Sequence, residues 1–375
     1  EVGCEFLDGI KEIEKEVETL VGVSINLNSP KQLSSLLFDT LGLKTKGKRK
    51  DSGAFTTNAE TLETLRDAHP VISLILEQRE IQKILSTYVE SILSHTKEDG
   101  RIHAKFFQHG TTTGRFSSAD PNMQTLPASG EWGKSVRHGF VAPKGFVFIG
   151  CDYSQIELRV LAMLSRDARL VESFEQGNDI HASVASLVFG VPQSEVTPDM
   201  RRKAKVINFG IIYGMGVQAL QKNLGTTKED TQKFYTEYFE AFPTIKGYLD
   251  GTRDFAKEHG YTETAFGRRR YFPTITSSAP FLRAFAERMA SNAPLQGTAA
   301  DIIKIAIVHI DEALTKKGLR KDAHLVLQVH DELVYEVKEE IAEEVRVIII
   351  KAMIGVIDHS PIPLAVAPVP LLVST

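Results

Sequence analysis

A strand pattern that ends on a carboxylate is the feature that most constrains this chain. The apolar run at 146–149 predicts a strand, and from 155 to 164 apolar residues recur at helical spacing. Asp152 lies between the two, where a carboxylate is costly to bury unless positive charge lies against it. One interpretation is that Asp152 caps the following helix, because strand-to-helix junctions favour that role. The other is that it faces a cation.

A second carboxylate lies in a hairpin pattern far downstream. Residues 324–337 alternate apolar and polar on either side of the segment His-Asp-Glu at 330–332, which predicts a β-hairpin with these three residues in its turn. Such turns normally use Asn-Gly or Asp-Gly, for which His-Asp-Glu is a poor substitute, and function is expected where a strong pattern breaks a local rule. An ordinary polar hairpin tip is the alternative. If Asp152 and Asp331 meet, they can hold a pair of Mg²⁺ ions of the kind that promote phosphoryl transfer.

A helix is predicted between these two carboxylates. Thr197 and Pro198 suit its first residues, and Gly214 suits its end. One stripe of this helix, at four-residue spacing, carries two cations and then two aromatic residues: Arg201, Lys205, Phe209 and Tyr213. Such a stripe suits a triphosphate at one end and a base or sugar at the other. The alternative is a solvated basic turn that runs into a buried aromatic turn.

Together these segments resemble the three motifs of family A DNA polymerases, the bacterial DNA polymerase I group. Asp-Tyr-Ser-Gln-Ile-Glu-Leu-Arg at 152–159 is similar to motif A, and Val-His-Asp-Glu at 329–332 is similar to motif C. Arg-Arg-Lys-Ala-Lys-Val-Ile-Asn-Phe-Gly-Ile-Ile-Tyr-Gly at 201–214 is similar to motif B. Further segments that look like the family occur at 113–118, 120–122, 179–181, 266–270 and 296–301. The resemblance therefore covers nearly the whole chain.

The resemblance implies an α+β fold, the right-hand polymerase fold, with a thumb, a palm built on an antiparallel sheet, and helical fingers. The parts would be 1–100 as a partial thumb, 101–178 as the first part of the palm, 179–278 as the fingers and 279–375 as the second part of the palm. Helical patterns at 10–20, 31–41, 59–68 and 71–95 agree with a helical thumb. Near the C-terminal end, prolines 368 and 370 suit at best an edge strand.

The resemblance also implies roles for individual residues. Catalysis would involve Asp152, Asp331, Glu332 and Lys205, with two Mg²⁺ ions, or Mn²⁺ in their place, held by Asp152, Asp331 and the backbone carbonyl of Tyr153. The incoming dNTP would contact Arg201, Lys205, Phe209, Tyr213, His181, Glu157 and Gln155. Among these, Glu157 resembles the steric gate that excludes a ribose 2′-hydroxyl. Primer and template would contact Arg115, Asn122, Arg288, Asn292, Gln296, His330, Lys48 and Arg49.

Composition sets the remaining bounds. With 375 residues, 42% of them apolar, the chain can bury a large core. It has no run of 18 apolar residues, no signal-like start and only two cysteines, which predicts a soluble, cytoplasmic protein without a membrane partner. We expect it to be a monomer. The net charge of −4 argues against nucleic acid, but the basic cluster at 44–50 supplies the local charge that phosphate contacts need. A solvated loop is the alternative for that cluster.

The function implied is template-directed addition of dNTPs to a primer on primed DNA, without proofreading by this chain. Three alternatives stay open. A two-metal nuclease would use the same carboxylates but has no need of the stripe at 201–213. A DNA-binding module would need no chemistry at all. The same chemistry on an RNA template, reverse transcription, is compatible with the same residues.

Overall fold

The structure is a computed structural model that describes residues 2–45, 55–126, 131–357 and 362–369. The chain forms two compact units, one of Glu1–Lys105 with Ser118–Val141 and the other of Phe106–Ser117 with Ala142–Thr375. The finer division into thumb, palm and fingers stays a prediction. No helix among the described residues combines the length and the apolar character needed to span a membrane.

The first unit is mainly helical. Its α-helices are α1 (Val2–Val21), α2 (Pro30–Ser34), α3 (Ala59–Glu63), α4 (Val71–Ile84), α5 (Ser91–His95) and α6 (Glu131–His138). Two π-helical segments, Ser35–Thr40 and Leu85–Glu90, continue α2 and join α4 to α5. The segments predicted at 31–41 and 71–95 are therefore helical, with a π-helical part in each.

Two of the helix bounds predicted for this unit were wrong. The helix predicted at 10–20 begins at Val2, because its buried apolar stripe already starts at Phe6 and continues through Ile10. The helix predicted at 59–68 ends at Glu63, and the residues that follow form turns ahead of Pro70. Proline disfavours helical geometry in the residue before it, so the turn at this place has a local cause.

All the sheets are small and antiparallel where their pairing is described. The strands are β1 (Lys105–Phe107), β2 (Ser117–Ala119), β3 (Phe146–Tyr153), β4 (Tyr261–Glu263), β5 (Arg269–Tyr271), β6 (Ala323–Val329), β7 (Glu332–Lys338) and β8 (Val366–Val369). β1 pairs with β2 and β4 with β5, and the other four form one sheet in the order β6-β7-β3-β8. This sheet confirms the predicted antiparallel sheet and places β3 between two neighbours. β8 is at its edge with Pro368 opposite Cys151, which confirms the prediction made from that proline.

The second unit contains nine described α-helices. They are α7 (Ile156–Ser165), α8 (Ala168–Glu175), α9 (Ile180–Phe189), α10 (Pro198–Ile212), α11 (Val217–Leu224), α12 (Lys228–Ala241), α13 (Pro243–His259), α14 (Pro280–Lys317) and α15 (Ala342–Ile354). α15 packs on β3, β7 and β8, and α14 packs on α15 and α7. Buried side chains of β3, including Ile149 and Cys151, join those of β7 in this core.

The hairpin predicted at 324–337 forms, with two differences. Its connection is only His330 and Asp331, because Glu332 pairs with Val329 and belongs to β7. The alternation along β6 is also broken by an irregularity in register between Leu325 and Leu327. A β-bulge of this kind shifts the side chains beyond it to the opposite face, so Gln328 is buried where an unbroken alternation places a polar residue outside.

Candidate active site

The end of β3 brings the two predicted carboxylates side by side. Asp152 lies directly opposite Glu332 in the β3–β7 pairing, and the backbone N–H of Tyr153 donates to the carbonyl of Asp331 across 3.1 Å. The Tyr153 hydroxyl donates to the carbonyl of Met353 across 2.8 Å, which fixes the strand end to α15. Asp152 does not cap a helix, since α7 begins at Ile156 and no side chain caps it. The capping interpretation was therefore wrong.

The two half-buried carboxylates are only partly compensated by nearby positive charge. Burial raises the pKa of Asp152, with the nearby His330 opposing the rise. Burial also raises the pKa of Asp331, while Arg115 lowers it and the charge of Asp152 raises it further. Oδ1 of Asp331 is buried and accepts no hydrogen bond. An ordinary solvated hairpin tip does not bury an acceptor in this way, so that alternative does not fit.

This donor set fits a hard cation with room for ligands from outside the protein. Paired carboxylates are the oxygen donors that Mg²⁺ takes from proteins, and substrate phosphates and water commonly complete its coordination. Among the described residues, no group of three or more His, Cys, Asp or Glu side chains could hold a metal. The protein thus offers a pair of carboxylates and not a closed cage.

A glycine leaves the space in which Glu332 lies next to this pair. A Cβ on Gly150 would lie 2.6 Å from Oε1 of Glu332 and 2.8 Å from Cβ of Val369. The carboxylate of Glu332 therefore lies over the backbone of β3, where only glycine leaves space. Gly150 and Asp152 are two residues apart on β3 and share a face of the sheet, so Glu332 lies on the Asp152 side.

Glu157 joins three separate parts of the chain. It is only 5% exposed, and its Oε1 accepts from the Arg115 guanidinium across 2.6 Å while its Oε2 accepts from the Tyr213 hydroxyl across 2.9 Å. Burial raises the pKa of Glu157, and Arg115 and the Tyr213 hydrogen bond oppose that rise. Because both oxygens are engaged, the side chain has a fixed orientation. Gln155, two residues earlier, has a left-handed backbone with φ 55° and a buried Oε1 that accepts no hydrogen bond.

The face of α10 that carries the predicted stripe is accessible. The helix begins as predicted, with the hydroxyl of Thr197 accepting from the N–H of Met200, and Gly214 follows it with φ +65°. Arg201, Lys205 and Tyr213 are exposed and Phe209 is half-buried, with the rings of Phe209 and Tyr213 stacked at 6.2 Å. The aromatic turn is therefore accessible. The alternative interpretation of this stripe required it to be buried and does not fit.

Asp179 orients the first cation of this face. Its Oδ1 accepts from the N–H groups of His181 and Ala182 and caps α9, and its Oδ2 accepts from Nε of Arg201 across 2.6 Å. Burial acts to raise the pKa of Asp179, but these hydrogen bonds and the Arg201 charge lower it overall. Asp179 lies in the family-like segment at 179–181, but no role was predicted for it, although its position before a helical pattern at 180–189 signalled an N-cap.

His181 is buried beside the stripe in its neutral form. The amide nitrogen of Asn208 donates to Nδ1 of His181 across 3.1 Å, which leaves the proton of the neutral ring on Nε2. Burial lowers the pKa of His181 to about 4, with Asp179 opposing and Arg201 and Lys205 contributing to the decrease. The imidazole also lies 5.9 Å from the ring of Phe209, centroid to centroid. His181 is thus a neutral hydrogen-bond donor next to two cations.

The predicted DNA contacts are distributed over both units. In the second unit, Arg288 lies against Gly214. A Cβ added to Gly214 would lie 3.4 Å from the Arg288 backbone. Farther along α14, Asn292 is buried with an Oδ1 that accepts no hydrogen bond, and Gln296 is half-buried. His330 is exposed at the hairpin tip with φ 53°.

In the first unit, Asn122 is exposed, and its side chain accepts from the N–H of Gln124. Lys48 and Arg49 lie outside the described residues, as does the rest of the cluster at 46–50.

Arg268 lies in the family-like segment at 266–270, but its structural role was not predicted from the sequence. Its guanidinium donates to Oδ1 of Asp301 across 2.8 Å, to the carbonyl of Thr113 across 2.7 Å and to the carbonyl of Gly297 across 3.0 Å. Thr113 is two residues from Arg115, so Arg268 holds the segment that supplies Arg115 to Glu157. No local signal identifies such a residue, because its partners are distant in sequence.

Comparisons with known proteins agree with these motifs. A family model described as DNA polymerase family A matches residues 1–373. The thermostable DNA polymerase I of Thermus aquaticus is 45% identical over 357 residues, which are 95% of this chain and 42% of that protein. DNA polymerase I of Lactococcus lactis subsp. lactis (strain IL1403) is 42% identical over 354 residues, 94% of this chain and 40% of that protein.

A solved structure is similar over almost the whole chain. It is the POL domain of Pol1 from M. smegmatis in a complex with DNA primer-template and dNTP, with a TM-score of 0.89 and 40% sequence identity. The match covers 98% of this chain and 64% of that one. It confirms the predicted α+β polymerase fold. The chain spans about two fifths of the length of the curated relatives it matches.

Proposed function

This chain belongs to DNA polymerase family A, and from that premise we propose that it is a DNA-directed DNA polymerase that adds dNTPs to a primer 3′-hydroxyl. One observation carries the proposal. The adjacent carboxylates Asp152 and Asp331 are linked to the accessible face of α10, because Tyr213 and Arg115 both bind Glu157 and the charge of Arg115 acts on Asp331. A two-metal nuclease needs the carboxylates alone. This unit also has the accessible face of α10, whose cations and aromatic rings suit a nucleoside triphosphate.

The basic end of α10 binds the β- and γ-phosphates of the dNTP. Asp179 orients the guanidinium of Arg201 without removing its charge, and Lys205 lies one turn farther along the same face. The Nε2–H of His181 is a third donor, and it adds no charge because the ring is neutral. Phosphate oxygens that accept from this set lie at the end of the stripe away from Tyr213.

The aromatic end of α10 binds the sugar and base. The stacked rings of Phe209 and Tyr213 offer an apolar surface beside the buried carboxylate of Glu157. Because Glu157 is fixed by two partners, it cannot move aside for a ribose 2′-hydroxyl. This rigidity is the physical basis of the proposed steric gate, and Gln155 lies at the start of the same helix, α7.

In the reaction, the primer 3′-hydroxyl loses its proton to solvent and its oxygen bonds to the α-phosphorus, while the α–β phosphoanhydride bond breaks and pyrophosphate leaves. Asp152, Asp331 and the carbonyl of Tyr153 would hold Mg²⁺, or Mn²⁺ in its place, and Glu332 would support them from its position over Gly150. Two such ions, when bound, supply positive charge to the attacking and leaving oxygens. Lys205 donates a proton to the leaving pyrophosphate, as a positioned lysine can.

A primer-extension assay with labelled primer, DNA template, Mg²⁺ and all four dNTPs tests the proposal. We expect longer products from the unmodified chain. We expect Asp152→Asn to lower the extension rate by more than about a thousandfold, about 4 kcal/mol of transition-state stabilisation, while DNA affinity stays within about threefold because the site is not part of the phosphate-binding surface. Asp254→Asn, at an exposed carboxylate of α13, is the matched control and should extend normally. Shortened primers without extension would favour a nuclease instead.

Four narrower predictions belong to the same proposal. We expect no proofreading by this chain, so a labelled mismatched primer incubated without dNTPs should keep its length. Extension of an oligo(dT) primer on poly(rA) tests whether the chain also copies an RNA template, the reverse-transcriptase alternative. A monomeric state is checked by light scattering. The cytoplasmic location is checked by fractionation of the source cell.

A further inference from the structure

One stripe of α14 extends outward from the proposed DNA contacts. Arg288, Asn292 and Gln296 recur at four-residue spacing, and Phe285 and Phe281 continue the stripe toward the start of the helix. At 3.6 residues per turn, these five positions fall within about 80° of the helix circumference. The stripe is polar and buried at its inner end, and aromatic at its outer end.

The two phenylalanines are not needed to hold the helix in place. Phe281 is 75% exposed and Phe285 is 51% exposed. Ala286, Ala290 and Ala293 are buried in a cluster on another side of the same helix. Leaving a large apolar side chain in water forgoes about 1.5–3 kcal/mol of burial, and here two successive turns of one stripe do so. Their position suits a ligand and not packing.

The stripe has a fixed relation to the active site through Arg288. Its backbone lies against Gly214, which directly follows Tyr213, and its guanidinium lies 5.9 Å from the centroid of the Phe285 ring. The helix rises about 1.5 Å per residue, so Phe281 is about 10 Å beyond Arg288. That length corresponds to about three nucleotides at 3.4 Å each.

We propose that Phe281 and Phe285 form a stacking site for the unpaired template bases that lie just ahead of the base being copied. Bases in duplex DNA already stack on their neighbours, so exposed rings have free base faces to bind only in the single strand. Aromatic rings stack on any base and contribute about 1–3 kcal/mol per base, which suits a template of arbitrary sequence. The site rests on the proposed function, because only a template-copying enzyme holds a primed duplex with a single-stranded extension.

The polarity of the stripe agrees with this assignment. Asn292 and Gln296 offer amide groups, which suit the hydrogen-bonding edges of paired bases in the minor groove. Arg288 offers a cation at the junction, where the template strand leaves the duplex. Phe285 and Phe281 offer no charge and no hydrogen bond, so they suit neither phosphate nor base edges. Each part of the stripe therefore matches a different part of a primed template.

The test compares the affinities of three primed hairpin DNAs at one fixed salt concentration. The first has a 5′ template overhang of one nucleotide, the second has six, and the third has six with abasic residues at the outer five positions. For the unmodified chain we expect the six-base overhang to bind about tenfold or more tightly than the one-base overhang, since tenfold is about 1.4 kcal/mol and each of two stacked bases contributes about 1–3 kcal/mol. The abasic overhang keeps the phosphates but not the bases, and it should bind like the one-base overhang.

The double variant Phe281→Ala/Phe285→Ala should lose this preference, to about twofold or less, and keep its affinity for the one-base overhang. Phe281→Trp/Phe285→Trp should preserve it, because tryptophan also stacks. Leu282→Ala is the matched control, since Leu282 is 43% exposed on the same helix but lies off the stripe. An unchanged overhang preference in the double alanine variant would overturn the proposal, as would abasic and base-bearing overhangs that bind equally. Either result, with normal primer extension, leaves the proposed function intact, whereas absence of extension by the unmodified chain would refute that function itself.

Discussion

The hydroxyl of Tyr213 donates to Oε2 of Glu157 across 2.9 Å and thereby joins the end of α10 to the start of α7. The other oxygen of Glu157 is bound by Arg115, so a buried carboxylate is held by one residue from each of two further segments. Any movement of α10 relative to α7 must stretch or break this hydrogen bond. In the proposed function, selection of the sugar by Glu157 is therefore physically coupled to the position of α10.

Glu157→Ala should weaken discrimination against ribonucleotides. Removing the carboxylate opens space beside the sugar site, and we expect the ratio of kcat/KM for dNTP over NTP to fall by about ten- to a hundredfold, equivalent to about 1.4–3 kcal/mol. This ratio is measured by single-nucleotide incorporation with dCTP and with CTP. Tyr213→Phe keeps the ring but removes one of the two partners that fix Glu157, so its ratio should also fall, by less than in Glu157→Ala. Unchanged sugar selectivity in Glu157→Ala would remove this residue from the gate.

With Phe at position 209, the protein should discriminate strongly against dideoxynucleotides. A dideoxynucleotide lacks the 3′-hydroxyl and therefore the hydrogen bonds that this group forms. The Phe209 ring has no hydroxyl that could form them in its place. Phe209→Tyr supplies such a hydroxyl and should raise the kcat/KM for ddTTP by about tenfold or more, about 1.4 kcal/mol. Competition between dTTP and ddTTP in primer extension measures the ratio. Efficient termination by the unmodified chain would contradict the prediction.

His181 should make the protein less stable as the pH falls from 6.5 to about 4. The folded state keeps His181 neutral down to a pKa of about 4, lowered first by burial, whereas in the unfolded state the ordinary value is 6.5. Between these values the unfolded state binds more protons, so the free energy of unfolding decreases as the pH is lowered and is unaffected by this group above that window. Urea unfolding at pH 7 and at pH 4.5 measures the loss.

His181→Gln is the comparison for that measurement. Its carbonyl oxygen still accepts from Asn208, but the side chain cannot take up a proton. The variant should lose less stability between the two pH values than the unmodified chain does. Parallel losses in both proteins would show that other groups, such as the carboxylates, account for the pH dependence.

Local patterns predicted the parts of the site that depend on neighbouring residues. Thr197, Pro198 and Gly214 delimit α10 because capping is decided within one helical turn. The break in the hairpin pattern identified Asp331 because a turn needs only a few residues to be specified. The motif resemblance then allowed Asp152 and Asp331 to be paired across the chain.

Features that depend on distant parts of the chain were not predicted. Glu332 was assigned to the turn, but its cross-strand partner Asp152 extends β7 by one residue. The irregularity between Leu325 and Leu327 follows from pairing with β7, and the sequence of β6 alone does not specify it. The role of Asp179 as a partner of Arg201 requires α9 and α10 to pack together. These properties arise from tertiary packing, which outweighs local preference.

Gly150→Ala should damage both stability and activity. The added Cβ would lie 2.6 Å from Oε1 of Glu332 and 2.8 Å from Cβ of Val369, so Glu332 or the edge strand must move. Overpacking of this kind costs about 1–3 kcal/mol, and a displaced Glu332 should lower kcat. Gly251→Ala is the control, since Gly251 lies in α13 with no atom within 4 Å of its added Cβ. There alanine should stabilise the helix, by about 0.5–1 kcal/mol. Equal effects of the two changes on urea unfolding would contradict the steric argument.

Arg268→Lys should destabilise the protein far more than Arg269→Lys, although the two arginines are adjacent. Arg268 binds Asp301 and the carbonyls of Thr113 and Gly297, three acceptors in different directions that a lysine ammonium cannot match. We expect its loss to lower the free energy of unfolding by about 2–3 kcal/mol, since buried acceptors are left without donors. Arg269 forms an exposed ion pair with Glu263, and such pairs contribute at most about 1 kcal/mol. Because Thr113 leads to Arg115, the Arg268 variant should also incorporate ribonucleotides more readily, through a looser hold on Glu157. If Arg268→Lys and Arg269→Lys unfolded at the same urea concentration and selected sugars alike, the hydrogen bonds of Arg268 would not contribute to the gate.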